Sequence, residues 1–313
     1  MGRAAAAAGW TCDEVPVSDG GEGLLDVLGG RSRVTRVTGP LGQPVDAGWR
    51  LVRKFPAGPE TDGETAVIEM ARASGLELAG GPEGNDPLRA STRGTGELVA
   101  AALAAGAGRI IVGAGGSATT DGGLGCLTAL EPLSRLAGVE LLVACDVETT
   151  FVDAASVFAP QKGATPAQVA LLARRLERLA QVYEQDYGID VRNLLSSGAA
   201  GGLAGGLAAA GATLLGGFDL VADLLGLPGR IESADLVLTG EGLLDDQSFE
   251  GKVVGGVLAL AGARTRAIVG ASEVDEPPTP VLSLSVRFGR ERAMADTLAC
   301  IEEATAEVLA PLA

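Results

Sequence analysis

Short β-type runs alternate with helical patterns along this chain, and that alternation constrains its fold more than any single motif. Residues 34–37, 48–52 and 66–69 read as strands of a meander. The segment 94–105 reads as a helix leading into a strand at 109–112, and 141–144 is another short apolar strand. Residues 166–187 carry the longest amphipathic pattern, with Val169, Leu172, Leu176, Leu179 and Val182 recurring every three or four positions. Strands follow at 236–238 and 267–269, then a Pro-rich loop at 276–280 and a closing helix at 294–309. No repeat of fixed period is present. Strands alternating with helices imply an α/β protein with substantial parallel sheet.

In open α/β sheets, ligands bind at the carboxyl ends of strands. Glycines and acids cluster just there, at 113–125, at Asp146 and at 240–246. Three such clusters argue for one shared cleft, although any one of them can be a plain turn. A length of 313 residues suits one large or two medium domains. The 25 residues 194–218 carry no charge but are dominated by Gly and Ala. A buried, glycine-loosened helix is expected there rather than a membrane span.

The net charge of −16 argues against nucleic acid or an anionic membrane as partner, because phosphate backbones need clustered cations. A few local cations and magnesium can still hold a triphosphate in an acidic protein. Four cysteines, none in a C-x-x-C pair, and no histidine leave no zinc pattern. A reduced, cytoplasmic protein is the natural reading. Without histidine, classical Ser-His-Asp hydrolysis is excluded. Any general base is a carboxylate, Lys, Tyr or Cys.

The strand at 109–112 runs into Gly113-Ala114-Gly115-Gly116-Ser117-Ala118-Thr119-Thr120-Asp121-Gly122-Gly123, with a helix expected after it. Glycines let backbone N–H groups approach a phosphate, and a helix start adds positive potential. Ser117, Thr119 and Thr120 can donate further hydrogen bonds. Asp121 can accept from a hydroxyl, hold magnesium through water or cap the helix. No Walker loop and no complete G-x-G-x-x-G is present, which argues against a dehydrogenase-like dinucleotide enzyme. Only three of the 24 basic residues are lysines: Lys54, Lys162 and Lys252. Where Arg is so favoured, a retained Lys suits a compact point charge. Lys162 and Lys252 both sit among glycines and polar residues. Acidic candidates are Asp19 and Glu22 in a glycine-wrapped turn, Asp146 after a strand, and Glu241 with Asp245 after another. Arg93 can clamp a carboxylate bidentately. Ser91 or Thr92 can cap the helix at 94, with Glu97 as capping-box partner.

Taken together, the segments 18–23, 92–98, 115–123, 145–147 with 158–164, 198–203 and 234–252 resemble the glycerate kinase family of the bacterial type without a Walker loop. Gln161-Lys162-Gly163-Ala164 and Thr239-Gly240-Glu241-Gly242, with Asp245 and Gln247-Ser248, are the most specific pieces. The resemblance implies ATP- and magnesium-dependent phosphorylation of D-glycerate, at the 2-hydroxyl. It implies two interleaved α/β domains, one flavodoxin-like with parallel sheet and one restriction-enzyme-like and mixed. Residues 1–72 with 235–313 would form a discontinuous domain, and 73–234 an inserted one.

Carried onto matching positions, the resemblance places Gly115, Gly116, Ser117, Thr119 and Lys252 at ATP phosphates, with Lys162 neutralising charge. Asp146 and Glu241 would help hold magnesium. Asp245 or Asp19 would be the base, and Arg93 with Thr95 would bind substrate. Homo-oligomerisation stays open. The family pattern also predicts a chain truncated at its start and shortened between 125 and 141, since the Pro-Asp-Ser-Phe-Lys-Gly-like motif is not seen in 1–9. Glu148-Thr149-Thr150 replaces Asn-Pro-Leu, Thr120 an Asn and Leu243 an Arg. The alternative expectation is a catalytically impaired or non-catalytic descendant that binds a small anion or a partner protein.

Overall fold

The computed structural model describes residues 1–59, 61, 63–249 and 252–312. Glu250 and Gly251, within the 234–252 motif, lie outside the described residues. Two units emerge, Ser18–Leu224 and Met1–Val17 with Leu225–Ala313.

The first unit is built on a six-stranded sheet in sequential order: β1 (Arg31–Thr38), β2 (Pro44–Val52), β3 (Glu64–Glu69), β4 (Ala107–Gly113), β5 (Glu140–Cys145) and β6 (Thr213–Gly216). The expected meander is there, β1 against β2 and β2 against β3 antiparallel. From β3 onward every pairing is parallel. Helical connections between parallel strands cover both sheet faces, so the central strands are apolar runs rather than alternating ones. Val67, Ile68, Ile110, Ile111 and Val112 are all fully buried. The edge strand β1 is the opposite, mostly exposed and studded with Arg31, Arg33 and Arg36. Charges on an edge discourage pairing with another chain. Arg31 also donates to both oxygens of Glu64, at 2.8 and 2.6 Å.

The expected boundary at residue 72 falls elsewhere. Because β3 pairs along its whole length with β4, the meander belongs with the sheet that follows it. One core runs through this unit, from Trp49 and Met70 through Leu98, Ile110 and Leu130 to Leu172, Tyr183 and Leu203. The helix Pro166–Tyr187 buries the stripe Leu172, Leu176, Ala180 and Tyr183 and starts in a Thr165–Gln168 capping box. The uncharged stretch becomes the fully buried helix Ala199–Ala209, β6 and the start of the helix Gly217–Leu225. Among the described residues, no helix is long and apolar enough to cross a membrane.

The second unit holds a parallel sheet in the order Val281–Ser283, Thr265–Val269, Val237–Thr239, so one unit carries a mixed sheet and the other a parallel one. A short parallel ladder joins Leu243–Leu244 to Ala271–Ser272. The N-terminal helix Gly2–Ala7 packs on the helix Thr297–Leu309. The closing helix expected over 294–309 is two helices, Arg290–Ala295 and Thr297–Leu309. Asp296 breaks them with φ −130° and ψ 41°, and the Thr297 hydroxyl takes the Ala293 carbonyl at 2.7 Å.

Candidate active site

The carboxyl ends of β4 and β5 carry two glycine turns packed backbone to backbone. A side-chain carbon on Gly115 would stand 2.9 Å from the Gly21 Cα, and one on Gly20 would stand 2.7 Å from the Ala144 side chain. Close approach of this kind admits only glycine. The turn at 19–22 is closed locally, with the Gly21 amide donating to Asp19 Oδ1 at 3.1 Å. It thereby sits against β5, whose end leads directly into half-buried Asp146.

The loop after β4 is held from every side. Leu76 N donates to the Gly116 carbonyl at 2.9 Å and Ala118 N to the Ser74 carbonyl at 3.0 Å. Asn85 Nδ2 donates to the carbonyls of Ala118 and Lys162, at 3.0 and 2.9 Å. Lys162 is the central fastener. Only 4% exposed, its ammonium donates to Ser117 Oγ and to the Thr119 carbonyl, both at 2.7 Å. Burial pushes its pKa down to about 7, and the Asp121 charge opposes that fall. The residues 198–203 explain their own glycines here. Ala200, Gly201 and Gly202 all have positive φ, and Gly201 presses on the Thr119 carbonyl with no room for a side chain. Its carbonyl in turn accepts from Gly122 N at 3.1 Å.

Asp121 fills two of the three roles left open, capping a helix and accepting from a hydroxyl. It accepts from Gly123 N and Gly125 N at the start of the helix Leu124–Leu130, at 3.2 and 3.3 Å. It also accepts from Thr92 N and Thr92 Oγ1, at 2.8 and 2.9 Å, and so ties that helix to Arg93–Ala104. Burial pushes this carboxyl upward, while the four hydrogen bonds oppose it. Thr92 therefore spends its hydroxyl on Asp121 rather than on a cap. Glu97 is not a capping-box partner either; it accepts from Thr38 N and Thr38 Oγ1 on β1, at 2.7 and 3.0 Å.

A cavity of about 410 Å³ opens beside these turns, lined by Glu22, Gly116, Gly75, Glu69, Arg72 and Trp49 among others. Gly116 is exposed to it, whereas the Ser117 and Thr119 side chains are buried. At this loop the cavity meets the backbone of Gly116, not those hydroxyls. Glu69 and Arg72 escaped the sequence reading. Buried Glu69 accepts from Leu25 N at 3.1 Å and Arg72 Nε at 2.8 Å, fixing the cavity wall. Its position at the end of a strand was the available signal. Asn85 had none, since its partners lie 33 and 77 positions away.

Two expected substrate residues stand apart from this cavity. Arg93 is exposed, pairs with Glu97 at 3.0 Å and lines a different groove. Thr95 is fully buried, with its hydroxyl 2.9 Å from that of Ser74. Neither lines the Gly116 cavity.

In the second unit, the strand Val237–Thr239 leads through Gly240 to Glu241 and Asp245. Asp245 Oδ1 accepts from Ser248 N at 2.9 Å, and Asp245 N donates to Ser248 Oγ at 3.0 Å. The Ala271 amide donates to the Gly242 carbonyl at 2.9 Å. Half-buried Lys252 stands at the start of the helix Val253–Ala261. Among the described residues, no group of three or more acids, cysteines or histidines stands together as a metal cage.

The glycerate kinase family model matches residues 2–133 and 131–308. The chain belongs to the glycerate kinase family. With that membership it is a kinase. Glycerate 2-kinase of Escherichia coli is 40% identical over 294 residues, spanning 82% of this chain and 74% of that protein. Glycerate kinase of Bacillus subtilis is 40% identical over 293 residues, with the same coverage of 82% and 74%. A crystal structure from Salmonella typhimurium LT2, named as a candidate glycerate kinase 2, superposes with a TM-score of 0.75 at 34% identity. It covers 95% of this chain, and this chain covers 88% of it.

Proposed function

We propose that this chain transfers the γ-phosphoryl group of ATP to the 2-hydroxyl of D-glycerate, giving 2-phosphoglycerate, in the cytoplasm. Kinship at 40% identity with a protein named glycerate 2-kinase supports the substrate. The observation that carries the chemistry is the paired glycine turn at the ends of β4 and β5, where Gly116 is exposed beside Glu22. Phosphoryl transfer asks little covalent work of a protein and much positioning and charge stabilisation. The amides of Gly115 and Gly116 are the phosphate donors in this reading. Lys162, with Ser117 and Thr119, fixes their geometry from beneath and adds positive potential. Lys252, at a helix start, is the further phosphate cation.

Asp245 is the proposed base, with Asp19 the second choice. The base takes the hydroxyl proton as the glycerate oxygen bonds to phosphorus and the bond to the ADP oxygen breaks. Magnesium that travels with ATP needs one or two protein carboxylates, the phosphates and water completing its shell. Half-buried Asp146 at the end of β5 suits that demand in its own unit, and Glu241 is the candidate carboxylate of the other unit. Bound magnesium supplies charge neutralisation on the phosphoryl oxygens. Neither Arg93 nor Thr95 is retained as a substrate clamp; Arg72, which lines the Gly116 cavity, is proposed in their place.

The test is ADP release by the purified chain with ATP, magnesium and D-glycerate, against L-glycerate and no-acceptor controls, with the product read by phosphorus NMR. Turnover confined to D-glycerate, yielding the 2-phosphate, is expected. A folded chain without turnover would favour the non-catalytic, anion-binding descendant.

A further inference from the structure

A groove of about 730 Å³ lies on the other flank of the Gly113–Asp121 segment, against the helix Pro166–Tyr187. The two cavities share no lining residue: Gly116 lines the first, while Thr120 and Asp121 line this one. Five arginines rim it, Arg89, Arg93, Arg174, Arg175 and Arg178, in a chain of net charge −16. Its one acid is Asp121, whose carboxylate already accepts four hydrogen bonds.

The rim is lightly committed. Arg93 pairs with Glu97, Arg175 donates to the Leu88 carbonyl and Arg178 to Gln181, each at 3.0 Å. Among the described residues, the guanidinium groups of Arg89 and Arg174 have no hydrogen-bond or ion-pair partner. The floor is apolar, formed by Leu88, Leu124, Leu179 and Val182, with Leu124 half exposed at 51%. Ser91, Thr120 and Thr128 add hydroxyls to the wall. Thr120 is 2% exposed, and its buried hydroxyl has no hydrogen-bond partner among the described residues. A buried hydroxyl left unpaired is costly, and such a group in a cavity wall points to a ligand that pairs with it.

The volume falls within the range of sites for molecules of drug or cofactor size, far larger than a three-carbon acid requires. Guanidinium forks match phosphate oxygens bidentately, and several together favour a multiply charged group. An apolar floor beneath them accepts a flat heterocycle. We propose that this groove is a second binding site, specific for a nucleoside phosphate, with the base on the leucine floor and the phosphates against Arg89, Arg174 and Arg178. Its occupant touches Thr120 and Asp121, the residues that lead from the Gly115–Thr119 loop into the next helix. The inference does not depend on glycerate being the acceptor.

The experiment combines 8-azido-ADP photolabelling, peptide mapping and titration calorimetry on the full chain, without magnesium. Adenosine and pyrophosphate serve as separate probes. Label is expected in peptides from 87–93 or 172–182. An Arg174→Glu/Arg178→Glu variant, altered only at exposed positions, should lose that label and weaken ADP binding there at least about tenfold, since one such charge-assisted contact is worth about 1.5–3 kcal/mol. Its turnover should be retained in the absence of added ADP. If that variant fails to fold, Arg174→Gln/Arg178→Gln carries the test. Label confined to other peptides, wild-type affinity in both variants, or adenosine binding as tightly as ADP would each overturn the proposal. Loss of turnover in the wild-type chain would count against the proposed reaction alone.

Discussion

The loop at 113–121 and the turn at 239–248 are both glycine segments that leave a strand and end in acids, yet they are held very differently. In the first, Lys162, Asn85 and Thr92 reach in from distant parts of the chain, and Gly201 presses on it from below. In the second, Asp245 and Ser248 hold each other three residues apart, with backbone bonds from Gly270 and Ala271 beside them. Long-range fastening consumes the polar groups of the first segment in the fold. Local fastening ties the Asp245 carboxylate of the second to its near neighbour Ser248, the arrangement on which its proposed role as base rests. Substitutions should therefore act on stability in one segment and on turnover in the other.

The largest effect is expected at Asp121. Replacing it by Ala strips the acceptor from two Thr92 donors and from the amides of Gly123 and Gly125. Buried donors left unpaired, together with a lost charge, cost about 3–5 kcal/mol. Urea unfolding should show that loss; a change below about 1 kcal/mol would place Asp121 outside the fold's fastening.

Lys162 sharpens the contrast through pH. With its pKa pushed down to about 7, the folded chain releases this proton well below the ordinary lysine value of 10.5. Between those values the unfolded chain binds more protons, so stability rises with pH. Buried Cys126 and Cys145, whose thiols burial pushes up, act in the opposite sense once unfolded thiols ionise near 9.0. The clean window is about pH 7 to about pH 8.5, where Lys162 contributes at most about 2 kcal/mol of rise. Urea midpoints across that window should climb for the wild-type chain and lie flatter for Lys162→Met. Parallel profiles would mean that the ammonium is not buried as described.

A smaller effect separates packing from substrate contact. Thr95→Val removes the buried partner of the Ser74 hydroxyl and should cost about 1 kcal/mol of stability. KM for the acceptor should stay unchanged. A raised KM at wild-type stability would return Thr95 to the substrate.

Period and turn chemistry made most of the architecture legible. The strands of the meander, the apolar runs of β4 and β5 and the helix Pro166–Tyr187 all follow from local pattern. The rule that ligands meet strand carboxyl ends pointed to the glycine segments on which the proposed site is built. What local pattern could not carry was direction. Ser117 and Thr119 look like phosphate donors in sequence, but the Ser117 hydroxyl accepts from Lys162, 45 positions away, and the Thr119 hydroxyl donates to the Ala200 carbonyl at 3.4 Å. Arg93, read in sequence as a substrate clamp, pairs with Glu97 one helical turn on. The break at Asp296 was hidden for a related reason, since apolar spacing continues across it while the backbone does not.

The account's central claim is that the 239–248 turn supplies the proposed base, while the polar side chains of the 113–121 loop hold its glycine backbone in place. Stability and turnover measured on one preparation of Asp245→Asn test it most directly. The prediction is an unfolding midpoint within about 1 kcal/mol of wild type and a kcat lower by about 100-fold to 10,000-fold, as for a lost general base. Full turnover from the variant would contradict the claim.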